Sequence, residues 1–130
     1  MRTLDVVAGI LLRGSELLLA RRPAGKILGG YWELPGGKLE VGESPQACLQ
    51  CEWFGELDVT IVVQDLFMES VHKYDFATIR LHSFLVKHVL GEFHALEHEA
   101  LTWVDLDEIN EWLLAPADVP VIEKLALTIL

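Results

Sequence analysis

The spacing of apolar residues along the chain predicts a series of strands. Residues 4–12 form a nearly continuous apolar run, which is typical of a well-buried strand. Apolar or alternating stretches predict further strands at residues 17–20, 59–67, 76–89 and 101–104. Polar or glycine-containing segments separate these strands, and residues 72–75 are the predicted hairpin connection between the two longest ones.

Helix signals mark three other segments. Ser44 followed by Pro45 combines a good N-cap with a good first helical residue, so a helix is expected to begin there. A cap with Glu at the third helical position predicts a second helix over residues 105–114. Asp118 is expected to cap a final helix that ends near Leu130. The order of strands, helix, strands, helix predicts an α+β sandwich.

Composition and charge narrow the class of protein. A chain of 130 residues with 52% hydrophobic and 23% charged residues is expected to form one globular domain over residues 1–130. No signal peptide is apparent, so a cytoplasmic location is expected. A net charge of −10 disfavours binding to a nucleic-acid polymer, but a divalent metal and a few local cations can still hold a free nucleotide.

Two cysteines lie three residues apart in the first predicted helix, at Cys48 and Cys51. This spacing occurs in redox pairs and zinc sites, but here no second cysteine pair and no thioredoxin-like strand accompany it. We therefore expect two reduced thiols, with Cys48 packed inward.

Candidate chemistry is concentrated in residues 36–59. Glycines at the start of this stretch allow a close approach of the backbone to a ligand. Glu52 and Glu56 are four residues apart, which puts both carboxylates on one face of the predicted helix. Two such acids opposite a carbonyl-bearing glycine loop can hold a hard cation such as Mg²⁺, whereas the alternative is an ordinary solvated helix face.

This stretch resembles the Nudix box, whose pattern is G-x5-E-x7-R-E-U-x-E-E-x-G-U, with U an aliphatic residue. The residues that match at the family's spacing are Gly37, Glu43, Glu52, Glu56 and Val59, and Trp53 keeps a U position apolar. The resemblance to the MutT-like branch extends over residues 4–125. It implies a Nudix fold, with a mixed β-sheet sandwiched between α-helices.

Three positions depart from the pattern, so the box is degenerate. Cys51 replaces the family's arginine, Gly55 replaces the first glutamate of the pair, and Asp58 replaces a glycine. Positions 51 and 55 are helical neighbours, so the two losses are expected to be coupled, because either alone would leave an unpaired charge. One carboxylate fewer predicts weaker metal binding and slower turnover. Aspartate tolerates the left-handed conformation, so the helix is still expected to end at Asp58.

The resemblance implies hydrolysis of a nucleoside triphosphate to a monophosphate and pyrophosphate with Mg²⁺, for which Mn²⁺ can substitute. The positions implied to bind metal are the Gly37 carbonyl and the side chains of Glu52, Glu56 and Glu97. Glu52 is our candidate for the catalytic base, with Glu97 as its rival. Glu99, two residues further on, is an alternative to Glu97 as the carboxylate that reaches the site.

A second set of residues is assigned to substrate binding: Arg21, Arg22, Lys38, Phe76 and Asp118. Residues 21–26 form a basic loop that is either solvated or in contact with a phosphate. Residues 114–120 resemble the segment with which MutT-like sanitation enzymes hydrogen-bond the nucleobase, and Asp118 occupies the reading position, where it can also cap the helix.

Several other residues carry less signal. On the long strand, Phe76, Leu81 and His82 could line a nucleobase pocket, although ordinary sheet packing is the favoured interpretation. Trp32 is expected to be structural, and His94 and His98 are interpreted as surface residues.

Three functions follow from these observations. The leading hypothesis is a Nudix pyrophosphohydrolase acting on an oxidised or non-standard (deoxy)nucleoside triphosphate, as a monomer or a homodimer. The alternative is a degenerate Nudix domain that binds a nucleotide or a protein partner with little or no hydrolysis, as the changes at Cys51 and Gly55 suggest. Hydrolysis of a nucleotide sugar or dinucleoside polyphosphate is a remote third option, because the chain is short.

Overall fold

The computed structural model describes residues 2–129 and contains two α-helices and eight strands in that part of the chain. The helices are α1 (Pro45–Leu57) and α2 (Val119–Ile129). The strands are β1 (Thr3–Ile10), β2 (Leu12–Arg13), β3 (Glu16–Arg21), β4 (Trp32–Glu33), β5 (Gly36–Lys38), β6 (Thr60–Lys73), β7 (Thr78–Leu90) and β8 (Ala100–Asp105). Short 3-10 helices at Leu106–Glu111 and Pro116–Asp118 complete the order. No helix between residues 2 and 129 has both the length and the apolar character needed to cross a bilayer.

The strands form two four-stranded sheets. In the first, the spatial order is β5-β1-β7-β6, and β1 and β7 run parallel while the other neighbours are antiparallel. In the second, β3 pairs with β8 along its whole length and with β2 and β4 near its two ends. The mixed sheet expected from the family resemblance is therefore present.

Two hydrophobic cores flank these sheets, because successive residues of a strand point to opposite faces. Leu17 and Leu19 of β3 pack into a core that includes residues of α2, whereas Leu18 packs into the core that includes α1. All three side chains are almost completely buried. This alternation places one helix on each side and confirms the predicted α+β sandwich.

Helix α1 begins and ends where the sequence predicts. The Ser44 hydroxyl accepts a hydrogen bond from the Ala47 N–H at 3.1 Å, and Pro45 is the first helical residue. Asp58 adopts the left-handed conformation with φ 62°, and its N–H donates to the Phe54 carbonyl, which ends the helix. At the centre of α1, the buried Trp53 donates its indole N–H to the Pro35 carbonyl at 2.9 Å. This bond fixes the helix against the glycine loop.

The two cysteines of α1 differ in their exposure. Both are free thiols, with Cys48 buried and Cys51 exposed. Burial is the main cause that raises the pKa of Cys48 to about 11, which makes this thiol unreactive at neutral pH. The predicted inward packing of Cys48 is confirmed.

The predicted helix over residues 105–114 is wrong in type and length. Asp105 does cap the segment, but its carboxylate accepts from the Asp107 N–H, and the turns that follow are 3-10. The helix cannot continue because Leu113 accepts a hydrogen bond from Trp32 N–H, and the Ala115 N–H donates to the Trp32 carbonyl. The Trp32 side chain packs against the core and meets Trp112 edge-to-face at 5.1 Å, so its predicted structural role is confirmed.

The predicted hairpin connection also lies in a slightly different place. The β6–β7 ladder continues to the pair Lys73 and Thr78, so residues 72 and 73 belong to the strand and the turn spans residues 74–77. Phe76 is therefore in the turn and not on the long strand. Leu130, the predicted end of α2, lies outside the described residues.

Candidate active site

Helix α1 carries two acidic side chains toward the glycine loop. Glu52 lies directly over Gly37 of β5, since a Cβ atom on Gly37 would overlap the Glu52 carboxyl group and lie 2.8 Å from its Cγ. A side chain at this position would displace the Glu52 carboxylate. Glu52 therefore lies close to the glycine backbone, as predicted. Glu56 follows one helical turn later on the same face.

Glu56 is buried in a cluster of negative charges. Its side chain is 8% exposed, and it shares a hydrogen bond with Glu52. Burial first, and then the bond with Glu52 and the charges of Glu52, Glu33 and Glu97, raise the pKa of Glu56 far above its usual range. A site that concentrates carboxylates in this way is suited to a cation, which would offset their repulsion.

Beside this cluster lies a cavity of about 480 Å³, which we call the acidic cleft. Its lining residues are Arg22, Pro23, Lys26, Glu33, Gly36, Glu56, Glu97 and His98. Acidic side chains and two basic ones therefore share one opening. This combination can hold a polyphosphate, with a divalent cation at the carboxylates and direct charge pairing at the basic residues.

The donor set fits a divalent cation that is shared with a substrate. Within residues 2–129, no three His, Cys, Asp or Glu side chains are arranged to hold an ion by themselves. Magnesium in phosphoryl-transfer sites is commonly held by one or two carboxylates, with substrate phosphates and water completing the octahedron. Glu52 beside Gly37, together with Glu56, to which it is hydrogen-bonded, matches that requirement.

The predicted basic residues have different surroundings. The Arg22 Nη1 lies 3.3 Å from Glu33, its Nε donates to the Ile27 carbonyl, and its side chain lines the acidic cleft. Arg21 is instead paired with Glu99 at 3.4 Å and is not among the residues that line the cleft. Lys38 lines a smaller adjoining cavity of about 210 Å³ with Gly37. The structure thus brings Arg22 and Lys38 toward the acids, but not Arg21.

The ion pair between Arg21 and Glu99 also distinguishes the two candidate acids of the loop between β7 and β8. Glu99 is engaged with Arg21, whereas Glu97 lines the acidic cleft and adds its charge to that felt by Glu56. Glu97 is therefore the better placed of the two.

The interpretation of His98 as a surface residue is wrong. Its side chain is only 6% exposed, and its Nε2 lies 2.9 Å from Glu33 and 3.8 Å from Glu56. His94, by contrast, is exposed and pairs with Asp58 at 3.3 Å, as a surface residue would. Glu33 and His98 were missed as site residues, although each had a signal, because Glu33 precedes the glycine loop and His98 follows Glu97 directly.

A further cavity, also of about 210 Å³, adjoins the cleft, and we call it the apolar pocket. Its lining residues are Val6, Arg22, Ile27, Leu28, Glu33, Tyr74, Phe76, Ile79, Leu81, Ala115, Ala117 and Asp118. The Phe76 ring stacks on Tyr74 at 4.9 Å, and the Tyr74 hydroxyl accepts a hydrogen bond from the Ala117 N–H. His82 is absent from the lining, because its two ring nitrogens contact Asp5 and Glu69. A planar aromatic ligand with polar edges suits this pocket.

Asp118 is the buried acid of the apolar pocket. It lies directly before α2, and its carboxylate accepts a hydrogen bond from the Leu34 N–H at 2.9 Å, far away in the sequence. Burial, reinforced by the charge of Glu33, raises the pKa of Asp118 to about 8, although the Leu34 bond and Arg22 oppose the shift. At neutral pH this group can therefore carry a proton and donate as well as accept.

Comparison with known proteins agrees with this fold and site. The NUDIX domain profile matches residues 6–124, and the chain belongs to the Nudix hydrolase family. The chain is 37% identical over 123 residues to the CTP pyrophosphohydrolase of Escherichia coli, covering 95% of this chain and 91% of that protein. It is 31% identical over 126 residues to the 8-oxo-dGTP diphosphatase of Escherichia coli, covering 96% and 98%.

A solved structure gives the same result. The solution structure of the E. coli ORF135 protein superposes with a TM-score of 0.83 at 36% identity, covering 95% of this chain and 88% of that one. The predicted membership of the Nudix family, with MutT-like relatives that act on nucleotides, is confirmed. Nudix hydrolases in general need divalent cations.

Proposed function

We propose that this protein hydrolyses a (deoxy)nucleoside triphosphate, oxidised or otherwise non-standard, to a nucleoside monophosphate and pyrophosphate with Mg²⁺. The observation that supports it most is the hydrogen-bonded Glu52–Glu56 pair, in which Glu52 packs over Gly37 and the buried Glu56 lines a cleft that also presents Arg22. Both curated relatives described above are named for action on a nucleoside triphosphate.

In this proposal the acidic cleft binds the triphosphate and the metal. The Gly37 carbonyl, Glu52, Glu56 and Glu97 would hold Mg²⁺, or Mn²⁺ in its place, which would neutralise phosphate charge and polarise the attacked phosphorus. Glu52 takes a proton from the attacking water as the water oxygen bonds to phosphorus, and pyrophosphate leaves with the electrons of the broken P–O bond. Glu97 is the rival for that base role.

The apolar pocket binds the nucleobase in this proposal. Phe76 offers an exposed ring face for stacking, and Asp118 reads the base edge by hydrogen bonding. Arg22 and Lys38 lie on the way to the acids and pair with phosphate oxygens. Arg21 is not part of the proposed substrate site, because it is paired with Glu99 at 3.4 Å.

The wider context follows from the same proposal. We place the whole of residues 1–130 in one Nudix domain that works in the cytoplasm as a monomer or a homodimer. A net charge of −10 supports a free nucleotide over a nucleic-acid polymer as the substrate.

A nucleotide screen tests the proposal. Purified protein is incubated with canonical, oxidised and methylated nucleoside triphosphates at several Mg²⁺ concentrations, and pyrophosphate and orthophosphate are measured separately. We expect pyrophosphate from at least one nucleotide and its loss in Glu52→Gln and Glu97→Gln, because Glu52 shares a hydrogen bond with Glu56 of the cleft and Glu97 lines the cleft directly. Glu99→Gln, which removes an acid of the same loop outside the cleft, is the matched control and should retain turnover.

The degenerate-domain alternative is a defined outcome of the same experiment. Cys51 and Gly55 are exposed, and the chain lacks the family's charge pair at these positions. Absence of pyrophosphate across the screen, together with calorimetric nucleotide binding, would replace hydrolysis with a binding role.

A further inference from the structure

A partly buried hydrogen bond between Glu33 and His98 lies where the acidic cleft meets the apolar pocket. The Glu33 side chain, 18% exposed, lines both cavities, and His98 lines the cleft. The other oxygen of Glu33 lies 3.3 Å from Arg22, which also lines both cavities. The contacts therefore run from His98 through Glu33 to Arg22, across the boundary between the two compartments.

The backbone on both sides of His98 is fixed. Before it, the Leu96 N–H donates to the Glu56 carbonyl at 3.0 Å, and after it, the Glu99 N–H donates to the Arg21 carbonyl at 2.9 Å. These anchors attach the loop to α1 and to the end of β3. The backbone that carries the imidazole is consequently anchored. A residue that positions other side chains requires such a fixed backbone.

The chemistry of the contact defines which nitrogen donates. Nε2 lies between two carboxyl groups, at 2.9 Å from Glu33 and 3.8 Å from Glu56, and an ionised carboxylate can only accept. Nε2 therefore bears the hydrogen. Nδ1 is buried and has no hydrogen-bond partner within residues 2–129, and an unpaired acceptor at that position is less costly than an unpaired N–H.

We propose that His98 is a positioning residue for nucleotide binding, which holds the Glu33 carboxylate so that Glu33 holds Arg22 at the junction of cleft and pocket. The inference rests on the proposed function and adds a role for a residue outside the Nudix box. Without the His98 bond, Glu33 is free to rotate and the Arg22 guanidinium loses its fixed partner. The substrate must then order both side chains when it binds, so affinity falls while the chemical step, which depends on the helix acids, is largely preserved.

Two amide substitutions separate the hydrogen bond from general packing. Glutamine places an N–H donor at about the position of imidazole Nε2, whereas asparagine places it at about that of Nδ1. We expect His98→Asn to raise KM about tenfold with kcat within about threefold, and His98→Gln to restore most of the affinity. His94→Asn is the matched control, because His94 is the exposed histidine of the same loop, and its kinetics should match those of wild type.

Three further measurements make the role specific. In the Glu33→Ala background, His98→Asn should have little additional effect on KM, because the residue through which it acts is gone. Calorimetric affinity for the nucleoside monophosphate should fall in His98→Asn by the same factor as KM rises. The imidazole ¹⁵N spectrum of wild type should show hydrogen on Nε2.

Several results would overturn the inference. These are an unchanged KM in His98→Asn, a loss confined to kcat, additive effects with Glu33→Ala, or hydrogen on Nδ1 alone. Failure of the proposed function looks different, because wild type would then release no pyrophosphate from any nucleotide. In that case the monophosphate affinity and the imidazole spectrum still decide the role of His98.

Discussion

Replacement of Asp118 by asparagine should change how stability depends on pH. In the unfolded chain this carboxyl ionises at its ordinary pKa of 3.8, whereas in the folded protein burial raises its pKa to about 8. Folding therefore takes up a proton between these pH values, and wild-type stability falls as the pH rises through them. Asparagine has nearly the same shape, retains an acceptor for the Leu34 N–H, and has no charge to lose.

The size of the effect follows from the two pKa values. Each pH unit between them costs the wild-type protein up to about 1.4 kcal/mol, which gives an upper limit of about 6 kcal/mol above pH 8. Local relaxation and water entry reduce this figure. We expect the unfolding free energy of Asp118→Asn, relative to wild type, to increase by at least about 1.4 kcal/mol between pH 5 and pH 8.5.

Urea denaturation of both proteins at a series of pH values measures this difference. Equal m-values would show that the denatured states are comparable. Asp75→Asn, which removes an acid from the exposed β6–β7 turn, is the control for loss of one negative charge. If the Asp118→Asn and wild-type curves remain parallel from pH 5 to pH 8.5, the argument that burial keeps Asp118 protonated is refuted.

Three further predictions concern the acidic cluster. Glu56→Gln removes a carboxyl that is buried among like charges, so the unfolding free energy of the metal-free protein should increase by about 1 kcal/mol. Pyrophosphate release should fall at least about a hundredfold. Denaturation and kinetics measured in parallel test both effects, and lower stability would contradict the argument. Gly37→Ala displaces the Glu52 carboxylate and should raise the Mg²⁺ concentration for half-maximal activity about tenfold, so an unchanged Mg²⁺ dependence would count against the predicted contact. Cys51→Arg with Gly55→Glu should increase activity at low Mg²⁺ beyond the control Gly55→Ala, because the pair restores the missing carboxylate together with its counter-charge. Within residues 2–129 and outside its own helical turn, nothing lies within 4 Å of a Cβ at position 55, so a side chain fits there; no gain would refute the coupled loss.

The parts of the fold that local sequence determines were predictable. The cap at Ser44 and the left-handed stop at Asp58 each depend on hydrogen bonds within a few residues. The pairing of Glu52 and Glu56 followed from helical spacing, and the Nudix pattern identified Gly37 as the backbone opposite them. These features need no knowledge of distant contacts.

The parts that depend on tertiary contacts were not predictable. The prediction that His98 is a surface residue fails because nothing in its own sequence neighbourhood shows that its side chain bonds Glu33, 65 positions away. Asp118 likewise bonds Leu34, 84 positions away, where local chemistry suggested a helix cap. The 3-10 segment after β8 ends early because the backbone of Trp32 hydrogen-bonds to Leu113 and Ala115. Helix propensity does not indicate such a contact.

The apolar pocket is assembled from five stretches of the chain: β1, the loop after β3, β4, the β6–β7 turn with the start of β7, and the segment before α2. A bound ligand should oppose local opening of all these stretches, because opening any one of them would release it. Occupancy should consequently slow proteolysis at sites remote from the pocket, and thermal shifts should rank nucleotides by affinity even when turnover is blocked.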